Sequence, residues 1–141
     1  MHHADAEVAQ YAVHPNIRFY RQDVTYGKTL EYDIMRENPD CELLLTDSVS
    51  NTSEIKAMMA ERNLNAMIGE LRKSDANTRI KTSIDASNWT DEEKRKAVLA
   101  SRYLNSVSKG SNALELNVAL MANLEKPEAE RIEFHVPQYI A

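Results

Sequence analysis

Six polar side chains within the first fifty residues could hold an anionic ligand: Asp23, Lys28, Thr29, Asp47, Ser48 and Ser50. Asp23 sits near the end of Ile17-Arg18-Phe19-Tyr20-Arg21-Gln22-Asp23-Val24, a run with the aromatic and β-branched residues of a strand. Gly27-Lys28-Thr29 then opens a helix. Its first amides lack partners within the helix and can face a phosphate, with Lys28 adding charge. Asp47 follows Cys41-Glu42-Leu43-Leu44-Leu45-Thr46, an apolar run read as a strand buried on both faces. In open α/β sheets, ligands bind beyond the carboxyl ends of strands, at a switch in strand order. If the two strands are parallel, all six residues lie at such ends. Ser48 and Ser50 would then offer hydroxyls, and the N-terminus of the helix that follows them could hold an anion.

The order strand, Gly-Lys-Thr, helix, apolar strand and Asp is also that of the two nucleotide motifs of P-loop proteins. That pattern needs a glycine at position 22, and this chain has Gln22. No glycine lies between Asp23 and Gly27 to let the backbone wrap a phosphate. The competing account is a turn glycine, a helix cap and a polar strand end, and the motifs identify no family.

Other chemistry has thinner support. Arg72, Lys73, Arg79, Lys81, Lys94 and Arg95 form a candidate nucleic-acid surface within a stretch, 56–109, that holds eleven basic and seven acidic residues. The rest of the chain holds six basic and fifteen acidic residues, and the whole chain carries −5. Asp91, Glu92 and Glu93 adjoin the basic cluster and repel phosphate, and no aromatic side chains interleave it as stacking platforms. A solvated basic face is the favoured account, which leaves nucleic acid the less favoured partner. His3 and Glu7 have helical i,i+4 spacing, but no Cys/His cluster supplies further metal ligands. No Gly-x-Ser-x-Gly elbow is present, and Cys41, the one cysteine, precedes an apolar run and suits packing. No cofactor or metal and no catalytic residue is expected.

The elements that must position these groups follow from periodicity and punctuation. Helices are expected over 4–13, from the Thr29 cap to Asn38, and from the Thr90 capping box to about Lys109, with Gly110 as its left-handed stop. Residues 52–73 carry two apolar stripes out of phase. Two helices breaking near Arg62-Asn63, or one helix between two packing partners, would account for them. Thr78–Ile84 alternates as a half-exposed strand, and Ile132, Phe134 and Val136 alternate as a last one. Between them, a helix from Asn112 to Leu124 is apolar on most sides, so it is either central or part of a subunit interface.

Strands alternating with helices predict an α/β (or α+β) fold, a mixed or parallel sheet of about four strands with helices packed on it. With 141 residues, no linker and no repeat, one domain spanning 1–141 is expected. The acidic start lacks a basic signal region, and no stretch approaches the roughly 18 apolar residues of a membrane span. The expected location is the cytoplasm, or the host cytoplasm for a viral gene, with no membrane partner. The expected function is a small non-catalytic interaction protein, inhibitor- or adaptor-like, acting as a homo-oligomer, with a protein or small anionic ligand as partner. The alternatives are a nucleotide or phosphate-ligand binder, or a phosphate-handling enzyme, using the loops Asp23–Thr29 and Asp47–Ser50. A nucleic-acid binder acting through 72–96 is the third reading.

Overall fold

The computed structural model describes residues 27–70 and 75–137. Within them run six α-helices: α1 (Leu30–Glu37), α2 (Thr52–Ala60), α3 (Leu64–Glu70), α4 (Asp75–Asp85), α5 (Asp91–Leu104) and α6 (Lys109–Glu125). Short 3-10 turns occupy Glu42–Leu44 and Glu128–Glu130. The described residues contain no sheet, and their β pairing is an isolated antiparallel bridge between Val49 and Val107. This overturns the α/β expectation: the described part of the molecule is a helical assembly.

Three expected strands fail for local reasons. The run 41–46 contains a 3-10 turn in which Leu44 is fully buried, Glu42 is exposed, and Leu43 and Leu45 are half-buried. It buries Cys41 and Leu44 in the core through a turn, with Leu43 and Leu45 packed at its margin, instead of burying two faces of a strand. Thr78–Ile84 lies inside α4, where Ile84 is buried and Thr82 exposed. Ile80 and Ile84 are four apart, a spacing that helix and strand share. Residues 132–136 are not paired in a sheet; side chains hold their backbone. The strand expected at 17–24 and the helix expected at 4–13 lie outside the described residues.

The helix ends are set by caps. The Thr29 hydroxyl accepts from the Tyr32 N–H at 3.3 Å, and the Thr90 hydroxyl accepts from the Glu93 N–H at 3.3 Å. Such caps contribute about 1 kcal/mol each. The two phases within 52–73 resolve into α2 and α3, separated at Glu61–Asn63. The helix begun at Thr90 stops at Leu104, earlier than Gly110, because the chain turns at Asn105–Ser106 and joins the segment around Val49. There the Ser50 N–H donates to Ser106 O at 2.8 Å and the Ser108 N–H to Ser48 O at 2.9 Å. Gly110 falls inside α6 instead of ending α5.

The core is built around α5, which packs against α1, α2, α3 and α4. Its Ala97, Val98, Leu99, Ala100 and Tyr103 are buried against Tyr32 and Met35 of α1, Ile55 and Met58 of α2, Met67 of α3 and Ile84 of α4. Each large apolar side chain removed from water contributes roughly 1.5–3 kcal/mol before the cost of ordering the chain. The central helix is thus α5, not the Asn112–Leu124 segment. Among the described residues, no helix is long and apolar enough to cross a membrane.

Candidate functional site

The helix α6 carries apolar residues on two opposite sides, and the core uses one of them. Asn112, Leu116 and Asn123 face inward and are buried. Leu114, Val118 and Met121 lie on the other side, 70%, 61% and 54% exposed. Their i, i+4, i+7 spacing places them on one stripe. Leu124 extends the exposed apolar surface along one flank.

The loop Thr46–Ser50 lies against the start of this helix and is fastened by polar contacts. The Ser48 N–H donates to Glu115 Oε2 at 2.7 Å. The Ser48 hydroxyl shares a 2.8 Å hydrogen bond with Thr46 and lies 3.4 Å from Asn112 Oδ1. The same Asn112 oxygen accepts from the buried Tyr103 hydroxyl at 3.3 Å. Hydrogen bonding from Ser48 holds the Glu115 carboxyl below the ordinary glutamate range, so it stays ionised at neutral pH.

Loop and helix together form an open groove of about 430 Å³, lined by Thr46, Asp47, Leu114, Glu115, Val118, Ala119 and Ala122. Its lining is mostly apolar, its alanines admit close approach, and Asp47 and Glu115 are its two carboxylates. Such a surface suits binding a side chain or a helix. Among the described residues, no group of three His, Cys, Asp or Glu side chains is placed to hold a metal ion.

The six residues of the expected ligand site are used in different places. Asp23 lies outside the described residues. Thr29 caps α1, the backbone N–H of Lys28 donates to Asp33 Oδ1 at 3.1 Å, and Lys28 Nζ lies 5.0 Å above the Tyr32 ring. Asp47, Ser48 and Ser50 belong to the α6 groove and its supporting loop, and the Ser50 hydroxyl donates to Ser106 O at 3.1 Å. The sheet edge that would have joined the two sets is not formed by the described residues.

The basic residues are also dispersed. Arg72 and Lys73 lie outside the described residues. Positions 79 and 81 fall on α4, about 200° apart around its axis instead of on one strand face. Lys81 pairs with Asp85 at 3.1 Å. Lys94 is half-buried in the first turn of α5. Arg95 is 1% exposed and points inward, donating to Met59 O at 2.9 Å and Glu61 O at 2.8 Å. It satisfies carbonyls at the end of α2, where a cation also suits the helix dipole.

Sequence reasoning missed Glu115, Asn112 and Asn123. The available signal was asparagine recurring on a helix face otherwise made of leucine and alanine. Comparison with protein-family models, with characterised proteins and with solved structures finds no match.

Proposed function

We propose that this is a non-catalytic interaction protein that joins copies of itself through the outer face of α6. The supporting observation is the exposed Leu114–Val118–Met121 stripe, opposite the side of the helix that the core consumes. An i, i+4, i+7 apolar stripe is the pattern by which one helix docks on another. A two-fold contact centred near Val118 would set Leu114 against Met121 of the partner subunit, so the stripe complements itself. Ala119 and Ala122 beside the stripe let the helices approach.

Size-exclusion chromatography with light scattering tests this reading. The unmodified chain is expected to show a mass above that of one chain, falling to one chain in Val118→Glu without loss of helical circular dichroism. A single-chain mass for the unmodified protein at high concentration would overturn it.

A further inference from the structure

Two buried asparagines grip the segment after α6 by its main chain. Asn123, 5% exposed, donates to Ile132 O at 2.8 Å and accepts from the Ile132 N–H at 2.9 Å. Asn38, 3% exposed, donates to His135 O at 2.7 Å and accepts from the His135 N–H. Each side-chain amide thus reproduces the paired donor and acceptor of a neighbouring strand. Asn38 is itself fixed, because it ends α1 and its amide nitrogen also donates to Ile34 O at 2.9 Å. Both grips are therefore built by the helices, not by the segment they hold.

The segment has few other attachments of the kind a core element has. Phe134 packs against the core and Pro137 is buried, while Arg131, Ile132, Glu133, His135 and Val136 are exposed. A hollow of about 220 Å³ remains beside it, lined by Asn38, Cys41, Ile132 and His135 among others. The connection from α6, Leu124–Arg131, is exposed at every residue and contains Pro127. This is how an extended peptide sits in a groove: main-chain hydrogen bonds hold it, and two side chains, here Phe and Pro three positions apart, select it.

We propose that Ile132–Pro137 is an exchangeable arm, and that the Asn38–Asn123 groove accepts the same arm from a second copy of this chain. Exchange would leave every groove contact unchanged, so the closed and exchanged forms differ in the exposed connection, whose Glu128–Glu130 turn and Arg131–Lys126 hydrogen bond are the contacts it would open. Within one chain the arm is present at an effective concentration on the order of millimolar. A second copy's arm therefore competes when copies are concentrated or already joined. This inference uses a different surface from the α6 stripe and does not depend on it.

The test is complementation between two full-length variants, both carrying Val118→Glu so that the α6 face cannot join them. One also carries Phe134→Ala and Pro137→Ala, leaving the groove intact and the arm defective. The other carries Asn123→Ala, leaving the arm intact and one grip removed; Asn38→Ala serves as a second groove variant. Circular dichroism establishes that each is folded before mixing. Each alone is expected to remain a single chain, and the mixture is expected to give a one-to-one pair by light scattering. That pair should vanish when Phe134→Ala is added to the arm-intact copy. Single-chain masses in the mixture up to about millimolar protein would overturn the proposal and make the arm a fixed part of its own chain. A pair that survives the added Phe134→Ala would overturn it as well.

Discussion

Two buried arginines of α5 show what a single residue can do in this molecule. Arg95 satisfies the end of α2 through carbonyl oxygens. Arg102 meets the Glu54 carboxylate with two nitrogens, at 2.9 and 3.1 Å, and also donates to the Ser106 hydroxyl at 2.8 Å. Both partners of this pair are buried, with side chains 8% and 6% exposed. Removing one partner of such a pair destabilises by about 3–5 kcal/mol, whereas replacing both by apolar groups of similar size costs much less. Arg102→Ala is therefore expected to lower the urea midpoint strongly, and Arg102→Met with Glu54→Leu to recover most of the loss. A double variant no more stable than the single one would contradict this account. The two caps, Thr29 and Thr90, were readable because a cap and its partner are three residues apart. The arginines were not: the carbonyls that Arg95 satisfies and the carboxylate that Arg102 pairs with lie 34 to 48 residues away. In sequence, a basic residue in an amphipathic helix reads as a solvated one.

At the scale of elements, the difficulty was period. In α4 the apolar positions 80 and 84 fit either a strand or a helix, and the intervening Thr82 favoured the strand by its β-branched shape. Neighbouring helices decided it, because Ile84 packs into a helical core that offers no strand edge among the described residues. The consequence is measurable at Ser83, which is exposed in the middle of α4. Ser83→Ala is expected to stabilise by about 0.5 kcal/mol and Ser83→Gly to destabilise by a similar amount, following helix propensity. Equilibrium denaturation reads both, and a strand at this position would not give that order. The helix α6 was legible as a helix with too much apolar surface, yet its role was not. The sequence pattern allowed a central helix or an interface helix, and packing gave the centre to α5. What remains outside is the Leu114–Val118–Met121 stripe. Val118→Glu is accordingly expected to alter association while changing the thermal midpoint by less than about 1 kcal/mol equivalent, since an exposed position contributes little to folding.

At the scale of the whole molecule, the expectation of a sheet came from alternation in short windows, which cannot see what lies across the core. Composition served better: the apolar residues that looked surplus in sequence are divided between one cluster around α5 and the outer face of α6. That cluster encloses two tyrosine hydroxyls and the Cys41 thiol, their pKa values all pushed up by burial, and together with Glu115 they contribute to how stability should depend on pH. Burial pushes Tyr103 from 10.0 up to about 12, only partly offset by its hydrogen bond to Asn112. Burial raises Tyr32 as well, against the lowering effects of the Arg36 charge and of Ser101. A phenol whose folded pKa exceeds its unfolded value keeps its proton better when folded. Its contribution is full below pH 10.0 and is lost as pH rises from there through about 12. For Tyr103 the shift corresponds to roughly 2–3 kcal/mol. Glu115 acts in the opposite sense. Its folded pKa lies below the ordinary 4.5, so its contribution is full above that value and is lost as pH falls through the folded pKa. Glu115 thus contributes to an acid limb, and the tyrosines, with the Cys41 thiol, to an alkaline limb. Urea titrations across pH should show both limbs. Glu115→Gln should shallow the acid limb and leave the alkaline limb unchanged, the rest of the acid limb coming from carboxylates such as Glu54 in its buried pair with Arg102. Tyr103→Phe should shallow the alkaline limb and leave a residual slope from Tyr32 and Cys41. An alkaline limb unchanged in Tyr103→Phe would mean that the buried phenol does not govern it.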